Sequence, residues 1–96
     1  MKVYLVERNY DNGESYEDAY DSTVIETVCL TEEKAVEYIN GLSVEKLNCY
    51  ADNWTEGNPY EYENPSTVRM FYNEPRYEGD DYETLWYTIK EMEVTE

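Results

Sequence analysis

Carboxylates are the residues with which this sequence could do chemistry. The chain has 23 Asp and Glu residues against 7 Lys and Arg, and it has no His. Paired carboxylates serve as acid and base in glycoside hydrolases, but so acidic a chain contains such pairs by chance. Nucleophilic catalysis would need Cys29 or Cys49 beside a base, and the commonest base is absent. We therefore expect no enzymatic activity and no catalytic residue.

Metal binding is the second kind of chemistry that carboxylates allow. Residues 11–14, Asp-Asn-Gly-Glu, loosely resemble a calcium loop. However, Gly13 is misplaced for EF-hand spacing, and the flanking helices are missing. We predict no specific metal site and no cofactor, and a calcium-dependent binder is kept as the weakest alternative.

The negative charge is concentrated in three segments that are also rich in tyrosine. We call residues 9–22, 52–64 and 73–83 the first, second and third acidic segments; they carry net charges of −5, −4 and −4 out of −16. A field of this sign repels nucleic acid and anionic membranes and attracts basic proteins. Seven scattered basic residues cannot offset it, so we expect no direct contact with DNA or RNA.

Carboxylates spaced along an extended chain could imitate a nucleic-acid backbone. Alternate residues lie about 6.6 Å apart at a rise of ~3.3 Å per residue, similar to successive phosphates. Glu61 and Glu63 have this spacing, as do Glu91 and Glu93. Arg and Lys in a nucleic-acid groove would pair with such rows, while the tyrosines would add rigid contact area. The alternative is that the acidic surface serves only solubility.

Short apolar stretches between the acidic segments predict the elements that must position them. Residues 2–8, 23–30, 67–72 and 84–94 favour strands because they are rich in β-branched and aromatic residues, and we expect the first two to pair antiparallel. Residues 52–59 have the composition of a loop. Trp54 within it either plugs the edge of the core or is an exposed contact residue, and we favour burial.

One helix is predicted firmly and a second less so. Thr31 is placed as the N-cap of a helix over residues 32–41, and a second short helix would cover residues 44–51. The apolar stripe of the first helix consists of Ala35, Tyr38, Ile39 and Leu42. The element order β-β-α-(α)-β-β predicts an α+β fold with a small antiparallel sheet of about four strands and one or two helices on one face.

The length and the cysteines suggest a single intracellular domain. Ninety-six residues suffice for one domain, residues 1–96. We expect Cys29 and Cys49 to be free buried thiols in a reducing compartment. A strand follows Met1 directly, which argues against a signal peptide, and no apolar run approaches the ~20 residues of a membrane span. We therefore expect a cytoplasmic protein, in the cytosol of a bacterial host.

The order of these elements resembles a group of small proteins from bacteriophages and other mobile elements. Residues 2–7 (Lys-Val-Tyr-Leu-Val-Glu) begin a strand pair, residues 31–35 (Thr-Glu-Glu-Lys-Ala) open a helix, and residues 52–57 (Asp-Asn-Trp-Thr-Glu-Gly) form a Trp-containing loop. The small acidic α+β profile is also similar to anti-CRISPR proteins and anti-restriction DNA mimics. That resemblance implies binding to the PAM-reading or nucleic-acid groove of a nuclease, but it assigns no individual residue.

We predict a non-enzymatic, phage-encoded inhibitor that blocks the nucleic-acid groove of a bacterial defence nuclease by DNA mimicry. Its partner would be a basic nucleic-acid-binding protein such as a CRISPR effector nuclease, and its edge strands would permit a homodimer. The alternative is a non-inhibitory phage or host accessory module that binds through an apolar sheet face. Charge placement predicts these partner-binding residues: Asp11, Glu14, Tyr16, Glu17, Asp18, Tyr20, Asp21, Glu61, Glu63, Asp80, Asp81, Tyr82 and Glu83.

Overall fold

The computed structural model describes residues 1–13, 20–43, 54–57, 67–73 and 83–95. Its elements are β1 (Lys2–Asp11), β2 (Asp21–Cys29), α1 (Glu32–Asn40), β3 (Trp54–Gly57), β4 (Thr67–Asn73) and β5 (Glu83–Glu93). The strands form one antiparallel sheet in the order β2-β1-β5-β4-β3. The α+β class and the β1–β2 pairing are confirmed.

The strand count and element order differ from the prediction at β3, and the bounds of β1 and β2 differ as well. The described strands number five rather than about four, because Trp54–Gly57 pairs with β4 where a loop was predicted. Pairing and the burial of Trp54 override the turn-rich composition there. β1 extends to Asp11 and β2 begins at Asp21, so both ends of the first acidic segment are strand. The predicted helix over residues 44–51 lies outside the described residues.

The helix begins where its sequence predicted and ends one residue earlier, at Asn40. The Thr31 side chain accepts a hydrogen bond from the Lys34 backbone N–H at 3.2 Å, which caps the first turn. The last helical residue is Asn40, and Ala35 and Ile39 are fully buried against the sheet. In the described part of the chain, no helix has the length and apolarity needed to cross a membrane.

The core lies between α1 and one face of the sheet, which we call the helix face. Phe71 of β4 and Tyr87 of β5 are almost wholly buried there and meet edge to face with ring centroids 6.4 Å apart. This geometry suits the quadrupoles of the two rings. The described core residues are Val6, Ala35, Ile39, Trp54, Phe71, Leu85 and Tyr87. Cys29 is a free thiol, half-buried beside this core, as predicted, and Cys49 lies outside the described residues.

The opposite face of the sheet, which we call the far face, contains a buried polar network. The Asn9 amide donates to the Thr88 hydroxyl at 3.0 Å and to the Trp86 carbonyl at 3.2 Å, and its oxygen accepts from the Thr23 hydroxyl at 2.8 Å. Asn9 is 8 % exposed, so these bonds offset the cost of burying its amide. Asn9 therefore ties three strands together, although its sequence context placed it at the start of an acidic loop.

A bulge in β2 decides which residues face the far side. Ile25 lies opposite Glu7 and Thr27 lies opposite Val6, so Glu26 is an extra residue between them. Glu26 turns to the helix face, where its carboxylate contacts Arg8 at 3.0 Å and accepts a hydrogen bond from the Tyr38 hydroxyl at 3.3 Å. Burial, and after it the Glu26 charge, raises the pKa of Tyr38.

Candidate functional site

Acidic residues from three strands meet at one end of the sheet. Asp11 ends β1 and lies directly opposite Asp21, the first residue of β2. On its other side Asp11 lies opposite Thr84, and Glu83 precedes Thr84 as the first residue of β5. We call Asp11, Asp21 and Glu83, with their neighbours Tyr10 and Tyr20, the acidic end.

The two tyrosines give the acidic end a defined shape. The Tyr10 hydroxyl donates a hydrogen bond to Glu83 Oε2 at 3.2 Å, and the Tyr10 and Tyr20 ring centroids lie 6.1 Å apart. Tyr20 is 60 % exposed, so much of its ring is available to a partner. A large ring held by a neighbour adds contact area at little cost in conformational entropy.

Hydrogen bonds across the hairpin hold the acidic end in place. Asn12 and Tyr20 exchange two bonds: the Asn12 N–H donates to the Tyr20 carbonyl and the Tyr20 N–H donates to Asn12 Oδ1, both at 3.0 Å. The Gly13 N–H donates to Asp11 Oδ1 at 2.7 Å, and Gly13 has a φ of 75°, which favours glycine.

Asp11 and Asp21 form a like-charge pair. Directly opposed Cα atoms in antiparallel strands lie about 4.5–5.5 Å apart, and opposed like charges destabilise a strand pair. Both side chains are exposed, and no ion pair among the described residues reaches Asp11, Asp21 or Glu83. A cation brought by a partner would relieve this repulsion, so the acidic end is a place where binding gains electrostatic free energy.

The described basic groups other than Lys90 pair with carboxylates away from the acidic end. The Met1 ammonium and Lys2 pair with carboxylates of β5, Arg8 pairs with Glu26, and Lys34 lies 3.8 Å from Glu37 on the next turn. Contact with Glu91 raises the pKa of Lys2. Positive charge is therefore neutralised locally, and the excess negative charge is left at the acidic end and along α1.

Arg69 of β4 has a structural role that no local sequence pattern indicated. Its guanidinium forms two hydrogen bonds to Glu56 of β3, at 2.6 and 3.1 Å, and donates to the carbonyls of Ile39 and Leu42 at the end of α1. The last turn of α1 has no basic residue of its own, so Arg69 supplies the positive charge that the helix dipole favours there. Hydrogen bonding to Arg69 lowers the pKa of Glu56, and the same contact raises the pKa of Arg69.

Trp54 and Asn73, which are opposed on β3 and β4, lie at the same end of the sheet as the acidic residues. Trp54 is 7 % exposed, which confirms that it plugs the core. Among the described side chains, the Trp54 Nε1 and Asn73 Oδ1 atoms are buried without a hydrogen-bond partner. One atom donates and the other accepts, so a single bridging molecule of water could satisfy both.

The structure therefore brings four of the predicted site residues to one end of the sheet: Asp11 and Asp21 on the far face, and Tyr20 and Glu83 beside Tyr10 on the helix face. The other predicted residues lie outside the described residues: Glu14, Tyr16, Glu17, Asp18, Glu61, Glu63, Asp80, Asp81 and Tyr82. No group of three metal-ligating side chains occurs in the ranges that the structure describes.

The sequence prediction missed an exposed apolar patch on the far face. Ile25, Val28 and Met92 are 60 %, 54 % and 44 % exposed there. Strict alternation along β2 would place Ile25 and Val28 on opposite faces of the sheet. The bulge at Glu26 instead places both side chains on the far face. A partial signal is the alternation of residues 84–94, which sets Met92 on the same face as Trp86 and Thr88.

The chain was compared with protein-family models, curated protein sequences and solved structures, and none of the three comparisons found a match.

Proposed function

We propose that this chain is a non-enzymatic inhibitor that binds a basic nucleic-acid-binding protein through its acidic end. The more specific form is a phage-encoded anti-CRISPR or anti-restriction protein, acting in the bacterial cytosol, that occupies the nucleic-acid groove of a defence nuclease. The observation that carries the proposal is the exposed pair of Asp11 and Asp21, directly opposed and without a cation among the described residues.

The geometry supports competition with nucleic acid in two ways. Asp11, Asp21 and Glu83 come from three different strands, so a rigid sheet presents them and little entropy is lost on binding. Arg side chains in a groove would meet each carboxylate with charge-assisted, often bidentate, hydrogen bonds. Tyr20 would add an aromatic contact beside these charges, as Tyr does in protein interfaces.

The alternative function is an accessory interaction module that binds through an apolar sheet face. The exposed Ile25, Val28 and Met92 favour it. The burial of Trp54 removes the tryptophan patch that would have favoured it further. The two functions predict different salt dependences, because screening weakens an ionic interface and leaves an apolar one largely unchanged.

The experiment immobilises the full chain, exposes it to extract of a bacterium that carries a CRISPR effector, and elutes bound protein with double-stranded DNA. A parallel column is eluted with plain buffer of equal ionic strength. We expect DNA alone to release a nuclease, because DNA and the chain would compete for one groove. Release by both eluents, or by neither, would contradict mimicry.

A matched pair of triple variants then assigns the surface. Asp11→Asn, Asp21→Asn and Glu83→Gln together should slow association with the recovered protein by about tenfold or more, because steering depends on these charges. The control is Glu32→Gln, Glu33→Gln and Glu37→Gln on α1, which changes the net charge equally. If association slowed equally in both variants, the net charge of the chain alone would control the association rate. The acidic end would then not be the binding surface.

A further inference from the structure

The exposed patch on the far face has a regular layout set by strand pairing. Leu5 of β1 lies between Val28 of β2 and Lys90 of β5. One step along β1, Val3 lies opposite Met92, and one step the other way Glu7 lies opposite Ile25. We call these seven residues the far-face patch.

The patch is electrically unlike the rest of the chain. It contains one carboxylate and one ammonium, Glu7 and Lys90, so its net charge is zero in a protein of net charge −16. Lys90 is exposed, and among the described residues no carboxylate pairs with it. Two copies of this chain would repel each other over most of their surfaces, and the far-face patch is where that repulsion is least.

The two charges occupy positions that are complementary to themselves under a two-fold rotation. Glu7 is displaced from Leu5 along the strand and Lys90 is displaced from Leu5 across the sheet, by about 6.8 and 4.8 Å respectively. Consider a two-fold axis that lies parallel to the sheet and bisects the angle between the direction to Glu7 and the direction to Lys90. Rotation about this axis exchanges the two directions. It therefore places Glu7 of each copy over Lys90 of the other, with the strands crossing at about 90°, one of the two usual sheet-packing angles.

The same rotation matches the apolar residues of the patch. It places Ile25 of one copy over Met92 of the other and Leu5 over Leu5. It also places Val28 over Val3. The exposed Ile25, Val28 and Met92 are thus covered and the charges paired in one arrangement, which is the property of an isologous interface; Val3 and Leu5 are already buried in the monomer.

We propose that a second copy of this chain docks on the far-face patch, forming a two-fold dimer with orthogonally packed sheets and reciprocal Glu7–Lys90 ion pairs. Asp11 lies four residues beyond Glu7, about 13 Å along β1, so the acidic end of each copy extends past the interface. The dimer does not depend on the proposed function, since it forms from the chain alone.

Sedimentation equilibrium of the purified full chain over a wide concentration range tests the proposal. We expect a monomer–dimer equilibrium. Lys90→Glu alone and Glu7→Lys alone should each weaken dimerisation by about tenfold or more, because like charges then face each other twice in the dimer. The double variant Glu7→Lys and Lys90→Glu should restore the wild-type dissociation constant to within about threefold.

Two controls separate this interface from general effects of charge and apolarity. Lys2→Glu changes the net charge as Lys90→Glu does, but at the exposed pair with Glu91 on the helix face, and it should leave dimerisation nearly unchanged. Ile25→Ser should weaken dimerisation, while Val24→Ser, on the helix face of the same strand, should not. Circular dichroism and the melting temperature confirm that each variant is folded.

A chain that stays monomeric at every concentration would overturn the proposal. So would a dimer that ignores both single charge reversals, or a double variant as weak as the single ones. None of these results bears on the acidic end, because no partner protein is present in the experiment.

Discussion

Replacing Arg69 with methionine should destabilise the protein by much more than the loss of one surface ion pair. Methionine keeps most of the apolar stem over Phe71, whose ring centroid lies 4.9 Å from the guanidinium carbon, and it removes the charge and every donor. The carbonyls of Ile39 and Leu42 then lose their donor at the end of α1.

The size of the effect follows from what each contact contributes. Hydrogen bonds from a charged donor contribute about 1.5 kcal/mol or more each, so the two carbonyls account for about 3 kcal/mol. The Glu56 carboxylate is half-exposed, and its ion pair adds at most about 1 kcal/mol. A loss of about 3 kcal/mol lowers the melting temperature of a domain of this size by roughly 12–24 °C.

Urea unfolding followed by circular dichroism measures this loss. Arg8→Met is the matched control, since Arg8 lies on the same face with an ion pair to Glu26, and it should cost about 1 kcal/mol or less. Arg69→Lys should give an intermediate loss, because an ammonium cannot reach Glu56 and the helix carbonyls with a rigid fork. If Arg69→Met cost no more than Arg8→Met, the role assigned to Arg69 at the end of α1 would be wrong.

Four further results are expected. The stability difference between wild type and Glu56→Gln should be full above about pH 5 and decline as the pH falls below the unfolded-state pKa of Glu towards the lowered pKa of Glu56, because Arg69 lowers the pKa of Glu56 and protonation removes that gain; a pH-independent difference in urea midpoints would refute this. Asn9→Leu should cost about 2 kcal/mol by the same unfolding measurement, since it leaves the Thr23 and Thr88 hydroxyls without their described partner. Trp54→Phe should cost clearly less than Trp54→Ala, for which about 3–5 kcal/mol is usual, because Phe keeps a ring in the core and removes a buried N–H that has no described partner; equal costs for the two variants would refute this. Millimolar Ca²⁺ should leave the melting temperature unchanged, and a clear rise would revive the calcium-dependent alternative.

Local sequence signals predicted the local parts of the fold. Thr31 and the stripe containing Ala35 and Ile39 were enough to bound α1, because capping and helical periodicity act over a few residues. The alternation in the last strand likewise placed Leu85 and Tyr87 together on the buried face.

Contacts between distant residues were beyond these signals. β3 has only four residues in a turn-rich context, and it is a strand because of its pairing with β4. Arg69 reaches residues 13 to 30 positions away, and no periodicity marks such a contact. The sequence predicted that the carboxylates of the acidic end are negatively charged contact residues. That they lie at one end of the sheet depends on the pairing of β5 with β1, which sets Asp11 opposite Thr84 and next to Glu83.

The bulge at Glu26 also affects how safely β2 can serve as the edge of the sheet. An edge strand with β-branched residues on both faces is a template for uncontrolled association into fibrils, and β2 includes Val24, Ile25 and Val28. The bulge interrupts the regular ladder at the middle of this strand and directs a carboxylate to Arg8. Deleting Glu26 would leave a straight run of Val, Ile, Thr and Val at the edge. The bulge that places Ile25 and Val28 on one face is thus also a feature that disfavours edge-to-edge pairing of β2 with another chain.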